Sequence, residues 1–350
     1  MTDEIPEKRT EHPYFMYEMI KDIPNGLEKT KKAMEEFDYS FIQGPLTFTG
    51  NGTAYHSEYI GSQFLSKTGL DYKVIQSYEL LNYSTPSFGT VVGVSHSGKT
   101  KSTMDSLKYM KKYAFVLGIT HYKGTPIEKI SDKSIIIDSE DKSLCNTKAF
   151  FDGAIASMYI SQYYSGINID INEIINKIGD NVKKMENSVK EIASNLGCVN
   201  NIFVLGSGPN HAVAREVAQK LKEATHVHSE GIELEEFNHG CTSIIDDKSL
   251  LILINDGYNN ERSDEIVKAC KFTGTKTFTL NGNGDYNIDM DSLGDLYLDP
   301  ILNVVPLYYF SYFMSLEKGV NPDLLRFDDK KYLNFDNTIF PPGSHWYKII

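Results

Sequence analysis

The sequence lacks an excess of basic residues. Its 350 residues include 35 Lys and Arg against 47 Asp and Glu, which gives a formal net charge of −12, and the basic residues form no clusters. Contacts with a nucleic-acid backbone depend on Lys and Arg, so we expect no nucleic acid partner. Any phosphate that the protein binds is then expected on a small molecule, held by local hydrogen-bond donors.

Cysteines are few and scattered, and long apolar runs are missing. The four cysteines include no C-x-x-C pair, which argues against a disulfide framework or a structural zinc site and favours a reducing compartment. No run approaches the roughly 20 apolar residues of a membrane span, and the charged N-terminus has no apolar core of signal-peptide length. The sequence therefore predicts a soluble, cytoplasmic protein with no membrane partner, no metal site and no cofactor.

The sequence does contain an internal repeat. The strand-like segment LTFTG (46–50) is followed by a glycine-rich turn and a helix-like run, and NIFVLG (201–206) is followed by the same two features. The two turns are 156 residues apart, and four identical pairs share this offset: Gly50/Gly206, Gly52/Gly208, Gln63/Gln219 and Leu65/Leu221. The repeat predicts two domains of similar fold.

Apolar strands alternate with amphipathic helices in both halves. TVVGVS, FVLGIT and SIIID (134–138) are strand-like in the first half, and LLILIN, TKTFTLNG and DLYLD (295–299) take the corresponding places in the second. This alternation is typical of parallel βαβ units. A segment with helical periodicity, 170–196, joins the halves. We predict an α/β fold of two similar domains, each a doubly wound, mostly parallel sheet flanked by helices. The predicted parts are an N-terminal extension (1–25), a first domain (26–165), a second domain (166–325) and a C-terminal tail (326–350).

The stretch GVSHSGKT (93–100) matches the G-x-x-x-x-G-K-[ST] pattern of nucleotide triphosphatases. It leads from a strand into a helix-like segment, so free backbone N–H groups and the hydroxyls of Ser95, Ser97 and Thr100 suit a phosphate. A triphosphatase also needs a Mg²⁺-binding Asp after a strand and a loop that opens the fold, but this loop follows the second strand of its repeat. We therefore expect a monophosphate here. A serine-rich turn that only caps the helix is the structural alternative.

Five motifs occur in order along the chain. SHSGKT (95–100) fits S-x-S-G-x-T, and NTKAF (146–150) fits S-T-K-A-F. KLKE (220–223) is followed sixteen residues later by His239-Gly240, and Arg326 is followed four residues later by Lys330. Together they resemble the sugar isomerase (SIS) proteins that have two such domains, such as the isomerase half of glucosamine-6-phosphate synthase. The resemblance covers roughly residues 40 to 331 and implies an enzyme that acts on a hexose or aminohexose 6-phosphate.

The resemblance also implies roles for particular residues. Glu223 resembles the base that moves a proton between C1 and C2 of the sugar, His239 the ring-opening residue, and Lys330 a tail lysine that enters the site. The other implied residues bind the phosphate or the sugar: Gly52, Thr53, Ser95, His96 (through its backbone), Ser97, Thr100, Asn146, Lys148 and Lys220. The structural alternatives are an ion pair between Glu223 and Lys220, a histidine of a loop and a solvated lysine.

The chain departs from the family pattern at several positions. Ala54 stands where a hydroxyl is usual, Cys241 replaces the Pro of H-G-P, and Asn146 replaces the Ser of S-T-K-A-F. We expect no glutaminase domain with an N-terminal nucleophilic Cys before the two domains, and therefore no internal production of ammonia from glutamine.

The resemblance leaves several activities open. We favour a glucosamine-6-phosphate deaminase/isomerase, which forms fructose 6-phosphate through an enediol or enolamine. The alternatives are a fructosamine (ketosamine) 6-phosphate deglycase, a plain aldose–ketose phosphate isomerase, and a non-catalytic sugar-phosphate sensor. The segment GVNPDLLRF of this chain resembles the tails of the deglycases. The family further implies a homodimer with shared active sites, in which His239 completes the site of the partner subunit.

Overall fold

The computed structural model describes residues 8–86, 88–258 and 260–340. The ends of the predicted N-terminal extension and of the predicted tail, residues 1–7 and 341–350, lie outside the described residues. The strands are β1 (Leu46–Gly50), β2 (Tyr72–Gln76), β3 (Thr90–Val94), β4 (Phe115–Thr120), β5 (Lys133–Ile136), β6 (Asn201–Gly206), β7 (His228–Ile232), β8 (Ser249–Ile254), β9 (Lys276–Leu280) and β10 (Tyr286–Ile288). The α-helices are α1 (Phe15–Lys21), α2 (Ile23–Glu35), α3 (Thr53–Ser62), α4 (Ser77–Asn82), α5 (Lys101–Met110), α6 (Pro126–Ile130), α7 (Lys148–Ser165), α8 (Ile171–Lys184), α9 (Glu186–Asn195), α10 (Pro209–Thr225), α11 (Glu261–Thr273), α12 (Val304–Glu317) and α13 (Lys330–Ile339).

The chain forms two compact units. Among the described residues, the first unit contains 8–10, 22–171 and 326–340, and the second contains 11–21 and 172–325. The second unit therefore includes α1, which precedes the first unit's sheet in the sequence. Each unit is built around one sheet of five strands.

The sheet of the first unit is parallel and has the strand order β2-β1-β3-β4-β5. β1 and β3 are buried along their whole length, as expected for a parallel sheet with helices on both faces. The chain moves to one side of β1 to form β2 and returns to the other side to form β3. Ligands of such sheets bind at this switch point, beyond the carboxyl ends of the strands. The loops that follow β1 and β3 are therefore the place to look for a site.

The sheet of the second unit repeats this order, as β7-β6-β8-β9-β10, and is also parallel. The turns after β1 and β6 share one backbone conformation, with φ 54° and ψ −128° at Gly52 and φ 54° and ψ −132° at Gly208. Glycine adopts such a positive φ readily because it has no Cβ. The two turns thus begin α3 and α10 in the same way, 156 residues apart.

Two expectations about strands were wrong. DLYLD (295–299) is not a strand, and the fifth strand of the second sheet is β10, which comes earlier. The side chain of Asp295 accepts a hydrogen bond from Tyr297 N at 2.9 Å, and its carbonyl accepts from Leu298 N and Asp299 N. The segment is therefore a turn, and Pro300 has no N–H for a sheet. GVSHSGKT follows the third strand of its repeat, because Tyr72–Gln76 also forms a strand.

The predicted helical segment 170–196 consists of two helices, α8 and α9, interrupted at Met185. The helix α12 is strongly apolar and its residues are buried from Val304 to Ser315, so it belongs to the core of the second unit. None of the helices in the described part of the chain has the length and apolarity needed to cross a membrane.

Candidate active site

The loop SHSGKT (95–100) connects β3 to α5 at the switch point of the first sheet. Gly98 has a φ of +65°, and a Cβ there would lie 2.5 Å from Thr125 Cβ, so glycine is required by both backbone and space. The hydroxyls of Ser95 and Thr100 are 2.9 Å apart, and Lys99 N donates to Ser97 Oγ at 3.2 Å. The loop therefore has a fixed shape before any ligand binds.

The loop is held from inside the unit. The carbonyl of His96 accepts hydrogen bonds from Thr120 Oγ1 (3.2 Å) and His121 N (3.1 Å), and the carbonyl of Gly98 accepts from Ile127 N (3.2 Å). The backbone N–H groups of Ser97 and Thr100 donate to no described residue. Free N–H groups beside a helix N-terminus, with hydroxyls around them, form an arrangement that binds anions.

The glycine-rich turn after β1 lies against the same region. Asn51 Nδ2 donates to Ser102 Oγ at 2.9 Å and to Thr103 Oγ1 at 3.0 Å, and both acceptors are in the first turn of α5. This contact brings Gly52 and Thr53 close to the start of α5, the helix that follows the loop 95–100. Ala54 follows them without a hydroxyl.

A buried network behind the loop was missed by the sequence reasoning. The rings of His96 and His121 are 4.2 Å apart between centroids, and His121 Nε2 lies 3.2 Å from Asp152 Oδ2. Thr30 Oγ1 donates to the other oxygen of Asp152 at 2.9 Å. Burial lowers the pKa of His96 well below its usual range, and the nearby His121 and Lys148 lower it further. His96 is therefore neutral at physiological pH, in keeping with a backbone role.

The N-terminus of α7 is capped by a second missed residue, Asp141. Its Oδ2 accepts hydrogen bonds from Thr147 N (2.8 Å) and Ala149 N (3.1 Å). Lys148, which the sequence suggested as a sugar-binding residue, is buried and its Nζ lies 2.5 Å from Asp22 Oδ2. Asn146 Nδ2 donates to the carbonyl of Ser143 at 2.6 Å. Both predicted residues thus have partners within the first unit.

Glu58 is a buried carboxyl group beneath the turn that follows β1. Its Oε1 accepts a hydrogen bond from Thr49 N at 3.0 Å, and its Oε2 would be 3.0 Å from a Cβ on Gly50. Burial raises the pKa of Glu58 well above its usual range, although hydrogen bonds from the backbone of Thr49 and Val94 oppose the shift. The group is therefore protonated over a wide pH range.

Glu223 lies near the end of α10 in the second unit. Its Oε2 accepts a hydrogen bond from Lys220 Nζ at 2.8 Å, and its Oε1 accepts from Gln219 Nε2 at 2.8 Å. The predicted ion pair therefore forms, but it is not a surface pair, because the Lys220 side chain is only 1% exposed and that of Glu223 is 22% exposed. The two contacts fix the direction of the carboxylate and leave part of it accessible.

Lys220 also faces a second, fully buried carboxylate. Its Nζ is 3.7 Å from Glu216 Oε1, which accepts a hydrogen bond from Tyr308 OH at 2.8 Å. Tyr308 belongs to the apolar helix α12. The ammonium group of Lys220 thus contacts the buried Glu216 on the side of the core and the partly exposed Glu223 on the side of the solvent.

His239 is also in the second unit. It ends a short 3-10 helix, Glu236–His239, and its side chain is 69% exposed, with Nε2 3.9 Å from Glu235 Oε1. Arg262 anchors Glu235 through two hydrogen bonds of 2.7 and 2.9 Å. Glu223 and His239 form no hydrogen bond or ion pair with each other.

The C-terminal candidates lie in the first unit. Lys330 is the exposed first residue of α13, after the N-cap Asp329. Arg326 has a left-handed φ of +64°, and its guanidinium contacts Tyr332, lying 4.8 Å from the ring centroid. The segment around Lys330 is thus shaped by Arg326 and Tyr332.

The NPD segment has a structural role. Asp323 accepts hydrogen bonds from Phe15 N (2.6 Å) and Met16 N (2.9 Å), and so caps the first turn of α1 within the second unit. Asn321 Oδ1 in turn accepts from Asp323 N at 2.9 Å. The segment therefore holds the start of α1 in place.

Comparison with known proteins identifies a family match for most of the second unit. Residues 195–311 match the family model of the SIS domain. The chain contains a SIS domain. The matched range begins before β6 and ends within α12, so the SIS domain includes both Glu223 and His239.

Proteins similar to this SIS-domain chain include a curated relative and solved structures. The glutamine–fructose-6-phosphate aminotransferase (isomerizing) of Fusobacterium nucleatum is 29% identical over 89% of this chain, which covers 57% of that protein. The chain thus spans about half the length of the curated relatives it matches.

Two solved structures share the fold. Glucosamine-6-phosphate deaminase from Thermotoga maritima has a TM-score of 0.74 and 19% identity, covering 87% of this chain and 96% of that one. Tagatose-6-phosphate ketose/aldose isomerase from Escherichia coli has a TM-score of 0.73 and 16% identity, covering 92% and 98%.

Proposed function

We propose that this protein is an enzyme that moves the carbonyl of a hexose or aminohexose 6-phosphate between C1 and C2. The observation that carries the proposal is the carboxylate of Glu223, oriented by the buried Lys220 and by Gln219 and still partly accessible. Such a group can take a proton from one carbon and return it to the next. The three proteins named above, an isomerizing aminotransferase, a deaminase and a ketose/aldose isomerase of sugar phosphates, support this reaction class.

The first unit is proposed to be a second SIS domain that holds the phosphate. Its strand order equals that of the second unit, and its first turn has the same glycine conformation. The hydroxyls of Ser95, Ser97 and Thr100 and the free N–H groups of the loop would bind the phosphate oxygens. Hydrogen bonds from a preformed loop favour a small monoanionic or dianionic group and need no metal ion.

The favoured overall reaction converts glucosamine 6-phosphate and water to fructose 6-phosphate and ammonia. His239 would transfer the proton that opens the sugar ring, and Glu223 would take the proton from C2 and deliver it to C1. The resulting C2 imine is hydrolysed by water, which releases the nitrogen as ammonia. Lys330 would stabilise negative charge on the enediol or enolamine. We further propose a homodimer in which His239 serves the partner's substrate.

A panel of substrates tests the proposal. Purified protein is incubated with glucosamine 6-phosphate, fructose 6-phosphate and a fructosamine 6-phosphate, and ammonia and each sugar phosphate are quantified. We expect ammonia and fructose 6-phosphate in equal amounts from glucosamine 6-phosphate. Interconversion of aldose and ketose without ammonia would replace the deaminase by a plain isomerase. Binding without turnover of any substrate would contradict the proposed enzyme and favour a sensor.

A further inference from the structure

The second unit contains a polar cavity of about 530 Å³ beyond the carboxyl ends of β8, β9 and β10. Asn255, Asn281 and Asp289, which directly follow these three strands, belong to its wall. The volume is in the usual range of small-molecule sites, about 300–1,000 Å³. The cavity also lies on the side of the sheet where parallel α/β folds bind ligands.

The cavity takes the place that the phosphate loop has in the first unit. Ser95 N donates to the carbonyl of Ile119 at 3.0 Å, and Asn255 N donates to the carbonyl of Leu280 at 3.2 Å. Ser95 and Asn255 are thus equivalent positions, each one residue after the third strand of its sheet. The chain continues as HSGKT in the first unit and as DGYNN in the second. The two units therefore present different chemistry at the same topological point.

The charge of the cavity excludes phosphate. Four carboxylates belong to its described lining, and no Lys, Arg or His does: Asp256, Asp289, Asp291 and Asp299. A phosphorylated ligand would meet like charges without any cation to offset them. A metal ion is also disfavoured, because no group of three or more His, Cys, Asp or Glu among the described residues is arranged to hold one. The negative field suits an organic ligand with a positive charge.

Buried amides supply both donors and acceptors. Asn210, Asn255 and Asn303 line the cavity and are 3%, 6% and 3% exposed. Asn303 Nδ2 donates to Asn210 Oδ1 at 3.0 Å, which leaves the amino group of Asn210 and the carbonyl of Asn303 without a partner among the described residues. Asn260 Oδ1, also in the wall, is buried and has no hydrogen-bond partner. Hydroxyl groups, which donate and accept at once, satisfy such a set.

The backbone around the cavity is shaped to hold these amides. Asn281 has a left-handed φ of +54°, and its carbonyl accepts hydrogen bonds from Asn260 Nδ2 (2.8 Å) and Asn255 Nδ2 (3.4 Å). A Cβ on Gly282 would lie 2.4 Å from Asn255 Nδ2, so only glycine leaves room for that side chain. The amides are thus positioned before a ligand arrives.

We propose that this cavity binds an unphosphorylated amino sugar, a hydroxyl-rich ligand whose ammonium group faces the carboxylates. The proposal goes beyond the sugar-phosphate chemistry above and does not depend on it, because the cavity lies wholly within the second unit and is built from other residues. The carboxylates of the cavity would select the free sugar over its phosphate ester, which the first unit is proposed to bind.

Calorimetric titration of the full chain tests this site, with glucosamine and glucose as probes at a pH where the sugar amine is protonated. We expect glucosamine to bind more tightly than glucose, by up to about fivefold, since one screened charge pair contributes up to about 1 kcal/mol. Asp291→Asn, an exposed and isosteric change, should remove most of this preference without weakening glucose. Asn303→Ala should weaken both sugars.

Two control variants complete the test. Asp180→Asn, the same charge change on an exposed part of α8, and Ser97→Ala, in the phosphate loop, should both leave glucosamine binding unchanged. Absence of glucosamine binding to the wild-type chain would overturn the proposal. The proposal would also be overturned if neither Asp291→Asn nor Asn303→Ala weakened glucosamine binding, or if Ser97→Ala abolished it. A third contradicting result would be that Ca²⁺ binds more tightly than glucosamine and that Asp291→Asn weakens the binding of Ca²⁺.

Discussion

At the scale of single residues, the first unit contains a buried acid, Glu58, whose side chain is protonated in the folded protein. Burial raises its pKa well above the usual range, whereas in the unfolded chain a Glu ionises near pH 4.3. Between these two pKa values the folded state binds more protons than the unfolded state. Stability attributable to Glu58 is therefore greatest at low pH and falls as the pH rises.

Glu58→Gln tests this consequence. Glutamine keeps the shape and neutrality of the protonated acid, so the stability of the variant should not fall with rising pH in the way that Glu58 causes in the wild type. We expect the free energy of unfolding of the variant, relative to wild type, to increase between about pH 5 and pH 7 by up to about 1.4 kcal/mol per pH unit. Denaturant titrations at several pH values measure it. A difference that does not change with pH would show that Glu58 ionises normally in the folded protein.

Ser97 tests the phosphate loop. Its Oγ accepts a hydrogen bond from Lys99 N, so its proton is available to a ligand oxygen. A hydrogen bond to a charged group contributes about 1.5–3 kcal/mol, so Ser97→Ala should weaken fructose 6-phosphate binding at least about tenfold. Ser84→Ala, elsewhere in the first unit, should have no effect in the same titration. ATP hydrolysis that Lys99→Ala abolishes would instead support the nucleotide triphosphatase pattern.

Residues within one short motif were open to prediction from sequence, and residues that act through distant partners were not. The loop 95–100 and KLKE (220–223) were singled out because their spacing is local. Asp141 caps α7 from outside the motif NTKAF, and Asp152 meets Thr30, which is 122 residues away. Lys148 was expected to bind sugar, but its pairing with Asp22 depends on how α2 and α7 pack, which the sequence does not display.

At the scale of secondary-structure elements, α10 combines a buried and an accessible carboxylate around one lysine. Removal of Lys220 would take away the ammonium group that lies 3.7 Å from the fully buried Glu216. Breaking a buried ion pair by removing one partner costs about 3–5 kcal/mol. The helix is therefore a part of the fold as well as a carrier of the candidate base.

Lys220→Met should destabilise the protein by about 3–5 kcal/mol in denaturant unfolding. Lys222→Met is the matched control, since Lys222 is two residues away on the exposed side of the same helix, and it should change stability by less than about 0.5 kcal/mol. Equal stabilities of the two variants would contradict the buried network of Glu216, Lys220 and Glu223.

Long apolar strands were predicted closely, and short polar ones were not. β1, β4 and β6 have the bounds expected from LTFTG, FVLGIT and NIFVLG, because continuous burial leaves a strong apolar signal. β10 has only three residues, and it follows a polar turn. The sequence predicts a strand at DLYLD instead, although the side chain of Asp295 closes this segment into a turn.

At the scale of the whole molecule, the two sheets show the same strand order with different loops at the same switch point. One loop offers hydroxyls and free N–H groups, and the other offers amides and carboxylates. The repeat was visible in four identical pairs, but the family model matches only residues 195–311. Assignment of the first unit as a second SIS domain therefore remains our proposal.

The proposed dimer predicts complementation between inactive variants. If His239 serves the partner's substrate, coexpressed Glu223→Gln and His239→Ala chains form a heterodimer in which one site has both lesions and the other has none. Such a heterodimer should recover about half of wild-type activity, while each variant alone stays inactive. Isolated heterodimers that remain inactive would show that His239 acts in its own chain or not at all.

The most direct test of the central claim compares wild type with Glu223→Gln in turnover of glucosamine 6-phosphate. Gln keeps the size of the side chain but cannot take a proton. We predict near-complete loss of kcat with KM within a few-fold of wild type, because a base acts on the transition state rather than on binding. Wild-type turnover in the variant, or equal losses of binding and turnover, would contradict Glu223 as the base that moves the carbonyl.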